Sequence, residues 1–367
     1  MREVVQAAGS VPEKRPEKIP ENYLQYIRKK TAIIGLLALL TVVLGVYALC
    51  AGSAELSPVQ VLLTLLGKEG SRSHVIIWNI RLPRIIAGVA ADIGLSVAGC
   101  VMQNILRNPL ASPFTLGISQ GAAFGAALAI VALGAGSTQS TGADAVIINN
   151  PYLVTASAFF WAMAATLVVL FLARFKGVSP EAMVLAGVAL GSLFAAATTI
   201  IQYFAQDVQV AAIVFWTFGD LGRASWAEVK LMTLLTGLAV VYFMFHRWNY
   251  NALDSGEETA KGLGVEVERI RLGGMFIASL ITAVAVSFLG IIAFIGLVGP
   301  HMMRRLIGGD HRFLIPGACV MGGLLLLVSD TLARTVLAPV VLPVGAVTSF
   351  MGAPLFLYLL SRGYRRK

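Results

Sequence analysis

Residues 81–117 read RLPRIIAGVAADIGLSVAGCVMQNILRNPLASPFTLG. Arg81-Leu-Pro-Arg84 opens the stretch, a run of apolar and small residues follows, and Asn108-Pro109-Leu110 breaks it. A hydrocarbon layer about 30 Å thick requires roughly 20 such residues of a helix that crosses it. Proline cannot continue a helix, and an asparagine side chain can bond the backbone groups freed there. The break therefore predicts the end of a membrane helix at one face of the layer, a position suited to a gate. Within the run, Ala90, Gly94 and Ala98 recur every four residues, the spacing that lets a neighbouring backbone approach closely.

The rest of the chain has the same character. Of its 367 residues 57% are hydrophobic and only 13% charged, with a mean hydropathy of +0.80. Soluble domains carry about 25% charged residues. The composition is that of an integral membrane protein, and apolar runs separated by polar or Gly/Pro breaks predict ten helices, over 31–52, 82–106, 114–134, 151–173, 181–205, 227–246, 272–290, 291–307, 313–334 and 344–361. The seventh and eighth come from one run, Leu272 to Ile307, punctured by Gly290, Gly296, Gly299 and Pro300. Charge supports splitting it. With ten spans and an inner N-terminus, 21 of the 28 Lys and Arg fall on the inner side, as expected of cytoplasmic loops. The net charge of +9 is thus a topology signal, and no basic block backed by a soluble fold points to nucleic acid.

Residues 1–30 mix Pro12, Pro16 and Pro20 with Glu and Lys, a composition expected to form a mobile cytoplasmic extension. A permease domain over 31–361 and a cytoplasmic tail, 362–367, complete the division. Cys50, Cys100 and Cys319 lie in apolar helices without paired spacing, so no disulfide or metal role is expected of them.

Specific blocks carry a family resemblance. Arg81-Leu-Pro-Arg84, Gly99-Cys-Val-Met-Gln103, Arg107-Asn-Pro-Leu-Ala111, Leu185-Ala-Gly-Val-Ala-Leu-Gly191, Gly256-Glu257 with Ala260 and Leu263-Gly264, Phe294-Ile-Gly-Leu-Val-Gly-Pro-His301 and Asp330-Thr-Leu-Ala-Arg334 occur in order. Together they resemble the permease subunits of ABC importers for ferric siderophores, haem and cobalamin, over residues 30–361. The resemblance implies an all-α polytopic membrane protein of the type II ABC importer permease fold, with ten transmembrane helices and an inverted internal repeat. It also implies a homodimer in the cytoplasmic (inner) membrane of a prokaryote, with both termini cytoplasmic and membrane lipid around it. Two cytoplasmic ATPase subunits and an extracytoplasmic substrate-binding protein would be its partners, and a metal chelate, a ferric siderophore before haem or cobalamin, its cargo.

The resemblance also assigns residues. The loop 247–271 would form the helices that couple to the ATPase, through Gly256, Glu257, Ala260, Leu263 and Gly264. The chain has no G-x-x-x-x-G-K-[ST] phosphate loop, so no cofactor is expected on it, and ATP and Mg would be used by the partner ATPase. Arg81, Arg84 and Arg334, placed on the outer side against the charge trend, would meet acidic groups of the binding protein, where charge matching sets register and encounter rate. Snorkelling to the headgroups is the alternative, and Asp330, four residues before Arg334, offers it a local partner. Asn108 and Leu110, with Ser179, Pro180 and Glu181, map to the cytoplasmic gate, although Pro180 and Glu181 replace small hydroxyl residues often found there. Asp92 stands where the family usually carries a small residue. An intramembrane carboxylate is costly and a functional candidate, here expected to face the bundle and hydrogen-bond to a hydroxyl or backbone group, or to be protonated. His301 is expected to brace its helix, and no residue is assigned as catalytic or as a metal ligand.

Two other classes fit less well. An ion-coupled secondary transporter would need ion-binding groups at broken helices, for which one Asp is thin support. An intramembrane enzyme would need clustered carboxylates or a paired nucleophile and base, and the sequence holds no such cluster.

Overall fold

The computed structural model describes residues 21–52, 54, 56–68, 70–137, 147, 148, 150–176 and 179–361. Helix α1 (Glu21–Cys50) is followed by the short α2 (Pro58–Leu65) and α3 (Ser71–His74), then by a π-helical turn, Val75–Arg81, that runs directly into α4 (Leu82–Ile105). A 3-10 turn, Pro113–Leu116, leads to α5 (Ile118–Val131), beyond which come α6 (Pro151–Lys176), α7 (Pro180–Phe204), α8 (Asp207–Thr217) and α9 (Trp226–Phe245). The short α10 (Arg247–Asp254) and α11 (Glu257–Gly262) precede α12 (Val267–Leu289), α13 (Ile295–Ile307), α14 (His311–Thr335) and α15 (Val344–Ser361).

Among the described residues seven helical stretches are long and apolar enough to cross a membrane: α1, the run 72–105 that ends in α4, α6, α7, α9, α12 and α14. The third, eighth and tenth predicted spans correspond to α5, α13 and α15, of 14, 13 and 18 residues.

Helix α4 is the hub. It packs against α9, α12, α13 and α14, and every residue from Gly94 to Leu106 is buried. The small residues foreseen in this segment explain the intimacy. A Cβ added at Gly99 would stand 1.6 Å from the Gly296 carbonyl oxygen, so α4 and α13 touch backbone to backbone. In lipid, where the hydrophobic effect does not drive helices together, such close packing supplies the attraction. Ser96 adds a hydrogen bond from its hydroxyl to the Ala318 carbonyl at 2.7 Å, tying α4 to α14.

Three boundaries differ from the sequence reading. α1 begins at Glu21, ten residues before the predicted span, because nothing after Pro20 breaks it and its first turns are anchored: Arg312 donates to the Tyr23 hydroxyl at 3.1 Å, and Lys30 bonds Tyr26. Residues 1–20 and 362–367 of the expected extension and tail lie outside the described residues. Upstream of α4, the helix continues past Pro83 because the π turn widens the ladder, with Leu82 N–H bonded to the Ile77 carbonyl. A proline ring clashes with the carbonyl four residues back in a regular helix, and the wider turn relieves that constraint. The run Leu272 to Ile307 does break, but over Gly290 to Phe294, both at positive φ (80° and 68°), so α13 starts four residues later than predicted.

Gly99→Ala should therefore destabilise the purified protein by more than the about 1–3 kcal/mol of ordinary overpacking, read as a lowered thermal midpoint. Gly35→Ala, where an added Cβ meets nothing within 4 Å, serves as the control. Equal midpoints for the two variants would show that the α4–α13 approach is not tight.

Candidate functional site

The two ends of the bundle carry different chemistry. At the end holding Asn108, α10 and α11 lie side by side across the loop between α9 and α12. Gly256 sits at φ 117°, a conformation that L side chains rarely adopt, and turns the chain from one short helix into the other. Glu257 opens α11, where a carboxylate suits the partial positive charge of a helix start. Its Oε2 accepts from Arg271 Nη2 at 3.1 Å and its Oε1 lies 3.5 Å from Lys261 Nζ. The Arg271 hydrogen bond, with Lys261 adding to it, holds the Glu257 carboxyl below the usual carboxylate range. Ala260 is fully buried and pins α11 to the body of the protein, whereas Leu263 is 69% exposed and projects away from it. Gly264, at φ 81°, ends the unit. The five residues singled out in this loop thus lie on one compact platform, with Ala260 turned inward and Leu263 outward.

Beside it, the turn after α4 is held from within. Asn108 Oδ1 accepts from Leu110 N–H at 2.9 Å, and Ala111 N–H bonds the Asn108 carbonyl. Leu110 is exposed. Ser179 caps α7 by accepting from Ala182 N–H, with Pro180 in its first turn, and a hydrogen bond from Ser179, with Arg107 and Arg271 adding more weakly, holds the Glu181 carboxyl below the usual carboxylate range. The structure therefore brings 108–110, 179–181 and the 247–271 loop to one end of the bundle. The 3-10 turn that follows Leu110 packs on α7, where a Cβ at Gly187 would meet the Thr115 carbonyl oxygen at 2.3 Å. A cavity of about 630 Å³ opens between the α4 turn and α10–α11.

At the opposite end the arginines behave differently from the expectation of exposed charges. Arg81 is 5% and Arg334 8% exposed. Arg81 donates to the carbonyls of Leu49, Cys50 and Ala54, and Arg334 to those of Ala48 and Ala51. All but Ala54 lie in the last turn of α1 or directly after it, where free carbonyls gather and positive charge is favoured. Asp330 then gathers two of the guanidiniums: Arg84 Nε lies 2.8 Å from Oδ1 and Arg334 Nε 2.9 Å from Oδ2. Asp220 approaches Arg84 at 3.7 Å. The Asp330–Arg334 pair was legible four residues apart, but the Arg84–Asp330 pair, 246 positions apart, was not.

Asp92 is fully buried, and neither carboxylate oxygen has a hydrogen-bonding partner among the described residues. The expected bond to a hydroxyl or backbone group is absent, because the adjoining Ser96 hydroxyl is committed to Ala318. No group of three or more His, Cys, Asp or Glu among the described residues could hold a metal ion. His301 stacks edge-on to Phe356 at 5.7 Å. Sequence reasoning passed over Asn104, Asn251 and His311, which are joined in a polar cluster at the Asn108 end. The signal available was a buried amide, Asn104, within an otherwise apolar stretch one turn before the Asn108 break.

Replacing Asp330 by Ala would leave the buried Arg334 without its carboxylate partner and Arg84 with only the more distant Asp220, and breaking a buried pair typically costs about 3–5 kcal/mol. Asp330→Ala should accordingly lower the thermal midpoint sharply in detergent, and an unchanged midpoint would mean that the cluster adds nothing to stability.

Residues 39–362 match the family model described as the FecCD transport family. A putative ABC transporter permease of Methanocaldococcus jannaschii is 55% identical over 349 residues, covering 95% of this chain and 99% of that protein. The hemin transport system permease of Yersinia pestis is 35% identical over 331 residues, covering 90% and 95%. Among solved structures, the inward-facing conformation of a putative metal-chelate type ABC transporter superposes with a TM-score of 0.78 at 29% identity, covering 91% of this chain and all of that one. This match over nearly the full length leads to one conclusion: the chain belongs to the FecCD transport family and is an ABC transporter permease subunit rather than an enzyme in its own right.

Proposed function

We propose that this permease conducts a metal chelate, with ferric siderophores the first candidates, across the cytoplasmic membrane of a prokaryote as the membrane half of an ATP-driven importer. The observation that carries the reading is the platform at Gly256–Gly264. An exposed leucine beside a paired glutamate, raised on two short helices at one end of a membrane bundle, is a docking surface for a soluble partner. With no phosphate loop in the chain, that partner is the ATPase that binds ATP and Mg, and two copies would serve a homodimer.

In this reading the seven long helices and α5, α13 and α15 make ten crossings, with the platform and both termini in the cytoplasm. The second copy packs against α7, a long helix that buries only Met183, Gly187, Gly191 and Phe194 within its own protomer. Asn108 and Leu110, with Ser179 to Glu181, close the path on the platform side. The binding protein docks at the other end, where a cavity of about 410 Å³ lined by Tyr47, Gly52 and Thr335 opens. A Cβ on Gly52 would meet Arg81 Nη2 at 3.0 Å, so acidic groups entering there would feel Arg81 and Arg334 at short range, with Arg84 contributing to the same field. A chelate that keeps its metal needs a pathway without fixed ligands, which suits a bundle in which the described residues form no metal-binding group.

The test is hydrolysis and uptake by the permease reconstituted in lipid with its ATPase, adding a binding protein loaded in turn with ferric siderophore, haem or cobalamin. Stimulation by one of them, accompanied by uptake, is the expected result. Failure of any ATPase to co-purify would overturn the reading. Glu257→Arg should abolish uptake while leaving the permease folded, because it reverses the charge beside Arg271 and Lys261; normal uptake by this variant would remove the platform from the mechanism.

A further inference from the structure

Asn104 occupies an unusual position: an amide, 5% exposed, near the last turn of the most buried helix in the bundle. Its Nδ2 donates twice to α10, to the Tyr250 carbonyl at 3.0 Å and to Asp254 Oδ1 at 2.7 Å. Asp254 is the last residue of α10, two positions before the Gly256 hinge into α11. The backbone of the same residue faces the other way, because the Asn104 carbonyl accepts from Arg107 N–H at 3.1 Å and the neighbouring Gln103 carbonyl from Asn108 N–H at 3.2 Å. Arg107 is held at φ 47°, a strained conformation for a residue with a side chain, and it persists only when its surroundings fix it. The turn that carries Asn108 and Leu110 thus hangs from two carbonyls, one of them belonging to the residue that grips α10.

The surroundings make that grip decisive. A cavity of about 630 Å³, lined by Arg107, Pro109, Arg304, Asn104 and Asp254, lies between the turn and the end of α10, while Tyr250 and Leu253 pack in the same buried cluster as Ile105 and Leu106. On its far side α10 is fixed to the start of α14: Asn251 Nδ2 donates to Asp310 Oδ1 at 3.0 Å, and His311 N–H donates to Asn251 Oδ1 at 2.8 Å. Burial works against ionisation of Asp310, yet hydrogen bonds from Arg312 and Asn251 hold its carboxyl at about 2, so this anchor is charged at neutral pH. α10 is therefore a short lever, hydrogen-bonded to α14 on one side and, through the Asn104 amide, to the end of α4 on the other.

We propose that Asn104 is the positioning residue that transmits displacement of the α10–α11 platform to the Arg107–Leu110 turn, linking the ATPase to the gate. The inference rests on the reading of that platform as the ATPase-docking surface. A push on α11 moves Asp254, Asp254 draws the Asn104 amide, and the carbonyls of 103 and 104 carry the turn with them.

The experiment measures substrate taken up per ATP hydrolysed by the complete transporter in proteoliposomes, a ratio that does not change when less protein folds. Asn104→Leu keeps the size of the side chain but loses both donor bonds. Its ATPase should still co-purify and hydrolyse ATP, while uptake per ATP falls about tenfold, the scale of a lost hydrogen bond to a charged group. Asn104→Asp places two carboxylates in contact and should fall at least as far. Adding Asp254→Asn to it restores a donor–acceptor pair with the roles exchanged and should recover most of the ratio. A wild-type ratio in Asn104→Leu overturns the proposal, as does an assembled double variant no better coupled than Asn104→Asp. Should the aspartate variant fail to assemble, Asn104→Leu decides alone. Failure of the wild-type permease to retain the ATPase counts instead against the docking surface itself, and is read before any variant is made.

Discussion

Everything in this bundle depends on the backbone-to-backbone approach of α4 to its neighbours. A lipid-embedded helix gains nothing from burying leucines against leucines, since the acyl chains are as apolar as the side chains. It gains from contact, and Gly99 against Gly296 brings α4 and α13 closer than any side chain would allow. Gly322 does the same from α14, where an added Cβ would meet the Asp92 carbonyl oxygen at 2.4 Å. With α4 locked in this way, its two ends become fixed points. One holds the arginine cluster, and the other holds Asn104 and the turn that follows.

How much of this could be read beforehand depends on whether the interaction was local in the chain. Hydropathy placed the long helices well because a crossing segment must satisfy its own backbone and be apolar throughout. α8 was missed because it lies between two spans and no rule of length or hydropathy demands it. The platform was legible because its glycines, Gly256 and Gly264, do a local task that only their positive φ permits. Arg81, Arg84 and Arg334 were recognised as a group, but their orientation was not, since the carbonyls bonded at and after the end of α1 lie 27 to 32 residues from Arg81 and 283 to 286 from Arg334. Asp92 stands out in the sequence as a carboxylate in an apolar helix, but that no described residue bonds it could not be foreseen, because only the structure shows that Ser96 is already occupied.

The polar groups that matter at the platform end share a pattern. Each sits at a helix terminus or on the last turn before one: Asn104 near the end of α4, Asp254 at the end of α10, Glu257 at the start of α11 and Asp310 capping α14. Termini expose unpaired backbone groups, so side chains placed there satisfy the backbone and join elements at once. A moving part built from rigid helices needs its joints at those places, and a change of one hydrogen bond there alters the relation between whole helices.

The capping of α1 by distant arginines also bears on how the protein is made. α1 leaves the ribosome first, and Arg81 reaches its terminal carbonyls soon afterwards. Arg334 and its counter-ion Asp330 belong to α14, so the carbonyls of Ala48 and Ala51 gain these partners only once a helix 283 to 286 positions further along the chain has been made and packed. The end of the first helix is thus completed by a late one, which ties its capping to assembly of the bundle rather than to its own synthesis.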